Sequence, residues 1–313
     1  MNPPPARIAL LGPRQARPNV DEALSALDAT GRVALVTAGW QEWEDDEDRV
    51  RALVGDRGAN LRLYGRAERV WSADPELAAA HHELQERVRA LRRAYNVRLA
   101  RTMEAWIELE RLDGDSAVMD SERGDAMDAV RALDRHHEER LRDLRQGFYD
   151  RYDPLMRGAV VREREEIRRI LGGVAAVAVA GGHVAVLLNR LRLFGMDELF
   201  AGKSVVACAG GAMVLGSRVV LFHDSPPWGP GHAEVGEYGL GLYPSVIPFP
   251  DGSARLRLDD PGRVGRMARR FAPADCVVLD EGTRLVFRDG AWRADAALRL
   301  DASGGIRAWA DAS

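Results

Sequence analysis

Cysteine is scarce in this chain: two residues, Cys208 and Cys276, among 313. Two thiols cannot staple a small scaffold, and they fit a reducing, cytoplasmic setting. Lysine is scarcer still, since Lys203 is the only one among 44 basic residues. With abundant Ala and Gly, this arginine bias fits a GC-rich, bacterial coding sequence. No uninterrupted apolar run reaches the ~18 residues of a membrane span. Gly172 to Val186 comes nearest, and its glycines and His183 fit a buried strand and turn better. The Pro-rich start, Met1 to Arg7, lacks the charged-then-apolar order of a signal peptide. A net charge of −4 and pI near 6.0 give no electrostatic reason to expect nucleic acid or an anionic membrane as partner.

What is present is ordinary globular composition, 46% hydrophobic and 29% charged, in a chain long enough for a full core. Arg7–Leu11, Val33–Thr37 and Leu61–Leu63 read as short strands, separated by helical stretches at Asn19–Ala29 and Asp45–Val54. Apolar strands alternating with helices predict a parallel sheet covered on both faces. From Asp74 to Leu171 the rhythm changes. Asp74-Pro75 starts a helix, with apolar residues at Leu84, Val88, Leu91, Tyr95, Leu99 and Met103 in helical spacing. A turn at Gly114, a cap at Asp120-Ser121 and a break at Asp153-Pro154 divide the segment into three helices. Residues 1–73 and 172–313 therefore form one α/β domain, and 74–171 is a helical hairpin or bundle inserted into it. The insert's apolar stripes predict a homodimer or protein-partner surface, or simple packing onto its own sheet.

After Gly172 the α/β pattern resumes: a strand at Val174–Ala180, a turn at Gly181-Gly182-His183, and a helix at Val184–Leu193. Ser204–Cys208 is a strand running into Ala209-Gly210-Gly211 and an apolar helix start. Arg218–Phe222 is a further strand, Ser225–Gly241 a loop rich in Pro and Gly, and Cys276–Trp309 an antiparallel end with a turn at Asp289-Gly290. The strand–turn–helix corner at residues 205–216 has the form of a nucleophile elbow, in which small neighbours let one residue stand strained and exposed at the tip. The tip is Ala209, which has no chemistry, or Cys208, which does.

Four separated segments carry a family resemblance: Gly181-Gly182-His183, the elbow followed by Ala212-Met213-Val214-Leu215-Gly216, Gly239-Leu240-Gly241-Leu242, and Asp280-Glu281-Gly282-Thr283. Together they resemble the dipeptidase E and cyanophycinase family of serine peptidases. That resemblance implies an α/β parallel-sheet sandwich like class I glutamine amidotransferases, flavodoxin-like, here carrying a long helical insertion. Aligned from its downstream side, the family's serine falls at Ala209. Its histidine falls near Phe249, and its Gly-Gly-Asn reads Gly181-Gly182-His183. The resemblance therefore implies a catalytically inactive, pseudoenzyme-type relative with a binding or assembly role. The backbone of Gly181, Gly182, Gly210 and Gly211 would remain to hold a small anionic or peptide-like ligand.

The alternative is an active cysteine hydrolase or amidotransferase-like enzyme. Cys208 would be its nucleophile, His183 or His223 its base, and Asp224 or Glu234 the orienting group. Against it stands Val206, too branched for a sharp turn two residues before a tip. Ser217 and Ser245 are relocated-serine candidates off any elbow, and His232 is a further loop histidine near the sheet's carboxyl end. Trp40, Glu42 and Trp43 follow the second strand, as a wall over a pocket mouth or as packing under the insert. His81-His82 and His136-His137-Glu138-Glu139 read as solvated helix faces, because adjacent helical residues point ~100° apart and do not share a ligand face. Hairpin geometry sets His81 opposite Phe148. No metal or cofactor is expected.

Overall fold

The computed structural model describes residues 7–13, 19–224 and 231–309. In chain order, β1 (Arg7–Leu11), α1 (Val20–Ala26), β2 (Val33–Val36), α2 (Glu47–Val54), β3 (Gly58–Asn60) and α3 (Leu63–Ala73) open the fold. Three longer helices follow: α4 (Pro75–Arg111), α5 (Ser116–Tyr152) and α6 (Gly158–Gly172). The chain then returns through β4 (Ala176–Val179), α7 (Val184–Leu193), α8 (Met196–Leu199), β5 (Ser204–Cys208) and α9 (Gly210–Leu215). Next come β6 (Arg218–Leu221), β7 (Glu234–Tyr238), β8 (Val246–Pro250), α10 (Gly252–Arg255) and α11 (Pro261–Phe271). The chain closes with β9 (Asp275–Leu279), β10 (Arg284–Arg288), β11 (Ala291–Asp295), β12 (Leu298–Leu300) and β13 (Ile306–Ala308).

The main sheet runs β11-β10-β1-β5-β4-β2-β3. Its five inner-chain strands are mutually parallel, and the β10–β11 hairpin adds an antiparallel edge to β1. Counted from β2 this is a flavodoxin-like α/β order, with the chain's first strand in the last parallel place. The parallel strands are apolar throughout because both faces are covered. Ala9, Leu11, Leu35, Ala178, Val206 and Cys208 face α1 and α2, while Ile8, Leu10, Val36, Val179, Val205 and Ala207 face the other helices. A second sheet, β13-β12-β9-β8, and the β6–β7 hairpin complete the core.

The helices α4 and α5, 37 residues each, lie against one another as a hairpin about 55 Å long. The Asp74 carboxylate accepts from Leu77 N–H at 3.0 Å, and Pro75 takes the first helical position. The cap of α5 is Asp115, bonded to Ala117 and Val118 N–H, rather than Asp120-Ser121. Leu84, Tyr95, Leu99, Met103 and Trp106 on α4 and Val130, Leu133 and Phe148 on α5 are buried within the chain's own main core. Among the described helices none is long and apolar enough to cross a membrane.

Two expected elements shift. The third strand is Gly58–Asn60, not Leu61–Leu63. Arg62 adopts a left-handed conformation, and buried Glu44 takes the Tyr64 and Gly65 N–H groups, which starts α3 at Leu63. Within the expected loop at 225–241, Glu234–Tyr238 is a strand paired with β6, and 225–230 lie outside the described residues. The C-terminal part is antiparallel except where β9 runs parallel to β8.

Candidate functional site

The corner after β5 is built by its backbone. Ala209 N–H continues the parallel ladder to Leu11 O at 2.9 Å, and the next peptide turns sharply. Ala209 stands at φ 47°, ψ −116°, a conformation that side chains rarely adopt. This places Ala209 at the tip, half-exposed, with α9 leaving directly behind it. Cys208, one residue earlier, alternates to the opposite face. It is 8% exposed and packs in the apolar cluster with Leu11, Ala180 and Val206.

Of the other three motif segments, the first packs on this corner, the last packs against the turn after β1, and the third closes the far end of α9. A Cβ on Gly181 would lie 3.1 Å from Ala209 Cβ and 3.2 Å from Gly210 N. Gly182, at φ 110°, leaves room for Gly39 O, which also accepts from His183 N–H at 2.8 Å. Beyond β1, Gly12 N–H donates to Thr283 O at 3.3 Å, and a Cβ on Gly12 would sit inside the Asp280 carbonyl. Residues 239–242 close the far end of α9. Leu240, Gly241 and Leu242 N–H donate to Val214, Gly216 and Leu215 carbonyls at 2.8–2.9 Å, satisfying groups that a helix end leaves open. The site thus lies at the carboxyl ends of β1, β2, β4 and β5, beside the β2/β4 switch in strand order where doubly wound sheets bind ligands.

A second corner of the same shape follows β2. Gln41 stands at φ 58°, ψ −123°, within about ten degrees of Ala209 in both angles. Sequence reasoning missed it, and only the Gly39-Trp40 pair hints at a tight turn there. Of its neighbours, Trp40 packs into the α1–α2 cluster, Glu42 accepts from Tyr64 Oη at 2.9 Å, and exposed Trp43 carries Arg49 over its ring.

The expected catalytic side chains are dispersed. His183 caps α7, its Nδ1 accepting from Val186 N–H at 3.3 Å. Phe249 is fully buried in β8 and meets Phe222 edge-on at 4.8 Å. His223 is half-buried, and the neighbouring Asp224 carboxylate is held by Arg263. Glu234 takes Arg92 at 2.8 Å. His232 lies beside Arg263, Arg266 and Arg270, and burial reinforced by those charges holds its pKa down. The structure therefore gathers Gly181, Gly182, Ala209, Gly210 and Gly211 and gives the two candidate carboxylates to arginines. Among the described residues no group of three or more His, Cys, Asp or Glu could hold a metal ion.

A polar centre unforeseen from sequence lies beneath the hairpin. His137 and Glu138 are buried rather than solvated, while His136 and Glu139 are exposed. His137, 2% exposed, stacks on Tyr95 with ring centroids 4.0 Å apart. Burial depresses its pKa. Asp134 accepts from Arg270 twice at 2.7 Å and from Tyr95 Oη at 2.8 Å. Glu138 pairs with Arg218, and Glu237 on β7 with Arg145 and Arg192. Burial alone would raise Glu237, but those two guanidinium groups hold it low. His81 stacks on Trp71 and meets Phe148 edge-on at 6.3 Å, as the hairpin geometry predicts.

No protein-family model matches the chain, and no curated protein matches it. Among solved structures it is similar to a crystal structure of a peptidase from an acI-B1 Actinobacterium. The two chains are 13% identical over 99% of each, with a TM-score of 0.43.

Proposed function

We propose that this chain is a non-catalytic relative of the dipeptidase E and cyanophycinase peptidases, with its elbow corner kept for binding or assembly. The observation that carries the reading is the strained backbone at Ala209, which holds a methyl group where acyl transfer needs a nucleophile. Alanine cannot attack a carbonyl, and Phe249 cannot take a proton. The N–H groups of Gly210 and Gly211 open α9, so no residue within that helix precedes them to accept. They favour a carboxylate or other small anion of a peptide-like ligand. The buried setting of Cys208 fits an inert thiol better than a thiolate nucleophile.

The test combines turnover with thiol labelling. The protein is expected to leave aspartyl dipeptides, cyanophycin and glutamine intact, and Cys208 to alkylate with iodoacetamide no faster than a buried thiol. Rapid, pH-dependent alkylation of Cys208, with an amidase activity that disappears in Cys208→Ala, would overturn the proposal in favour of a cysteine hydrolase.

A further inference from the structure

Away from the elbow, at the opposite end of α9, a half-open cleft of about 430 Å³ separates α5 from the ends of β6, β8 and α11. Its size falls within the roughly 300–1,000 Å³ of small-molecule sites. Five arginines and two carboxylates line it, in a chain whose net charge is −4. The carboxylates are already committed: Asp134 to Arg270 and Glu138 to Arg218, both pairs at the base of the cleft. That leaves Arg131, Arg135 and Arg142, spaced four and seven residues apart along one face of α5.

Each of the three is poorly neutralised. Arg135 is exposed and has no ion-pair partner among the described residues. Arg142 reaches Glu138 only at 3.9 Å and leans on the Tyr238 ring. Arg131 meets exposed Asp128 at 3.4 Å and donates to Arg269 O, while its Nε is buried with no partner among the described residues. Like charges four apart on a helix repel, so an uncompensated stripe of this kind is stable only where an anion or solvent offsets it. The facing wall carries the exposed residues Ser217 and Ser245 beside the exposed apolar pair Ala272 and Pro273.

We propose that this cleft binds a small molecule bearing a diphosphate group. Guanidinium forks on α5 take the phosphoryl oxygens in paired, charge-assisted hydrogen bonds. The serine hydroxyls add neutral donors, and the apolar wall covers the ligand's organic portion. Two linked phosphates match three arginines spread over about three helical turns better than a single phosphate does.

The test is calorimetric titration with inorganic pyrophosphate, inorganic phosphate and ADP on the full chain. Pyrophosphate and ADP are expected to bind more tightly than phosphate and to weaken as salt is added. Arg135→Ala with Arg142→Ala, both at solvent-reaching positions, should weaken pyrophosphate at least about tenfold. Arg98→Ala, exposed on α4 outside the cleft, should leave its affinity unchanged. Absence of pyrophosphate binding, or equal affinity in the double variant and the parent, overturns the proposal, as does an equal loss in Arg98→Ala. Circular dichroism and urea midpoints of each variant separate lost binding from lost fold.

Discussion

At Ala209 the main chain occupies φ 47°, ψ −116°, where a Cβ is crowded and glycine is not. Replacing Ala209 by glycine isolates that strain. Relief of a sparsely populated conformation is worth about 1–3 kcal/mol. Against it stand about 0.4–1 kcal/mol from the freer unfolded glycine chain, and about half of the ~0.8 kcal/mol that a fully buried methyl contributes, since Ala209 is only half-exposed. The balance is a gain of about 1 kcal/mol, within a range from a loss of about 0.4 to a gain of about 2. Urea unfolding should show a higher midpoint at unchanged slope, since the surface exposed on unfolding stays the same. Ala209→Val, β-branched at positive φ, should move the midpoint the other way by more than the glycine gain. A glycine variant less stable than the parent by about 1 kcal/mol or more would refute the strain, and with it the reading of this corner as an elbow.

Three other outcomes follow from buried geometry. Asp134→Ala strands the Arg270 guanidinium and the Tyr95 hydroxyl and should cost about 3–5 kcal/mol. The paired change Asp134→Leu with Arg270→Met should cost less in guanidinium unfolding, and equal losses would contradict a buried ion pair. Gly182→Ala places a Cβ 2.3 Å from Gly39 O at φ 110° and should lose at least about 3 kcal/mol, whereas a parent-like urea midpoint would count against the close packing of the two turns. Burial, with Arg190 and Arg145 adding repulsion, lowers His81 from 6.5 to about 4. The unfolded chain then takes up a proton near pH 6.5 and the folded one only near pH 4, so this site's stability is full above that window and falls as pH drops through it. His81→Phe should flatten the decline in urea midpoint from pH 7 to pH 5, and an unchanged decline would assign it elsewhere.

Local pattern carried part of this fold. The runs Ala176–Val179 and Ser204–Cys208 read as strands because sheets covered on both faces need continuous apolar residues. The long helices read from their stripes, and Asp74-Pro75 marked a start that the structure keeps. Strand β7, Glu-Val-Gly-Glu-Tyr, looks like a loop in isolation, since two carboxylates and a glycine are poor strand residues. Its Glu234 and Glu237 are tolerable because arginines from α4, α5 and α7 meet them. His137 misled for the same reason: a polar residue on a long helix is usually solvated, and what buries it here is the Tyr95 ring on the neighbouring helix together with β7.

The sequence by itself determined the α/β alternation, the helical interruption and the small residues that let the chain turn after β5, because each follows from neighbours a few positions away. Tertiary structure decided which residue stands at the corner, since the Leu11 ladder and the packing of Gly181 fix the backbone of Ala209 and send Cys208 to the far face. It also decided where the charges go. Carboxylates and arginines more than a hundred residues apart meet only when the hairpin lies down on the core, and the arginines left over define the cleft beneath α5.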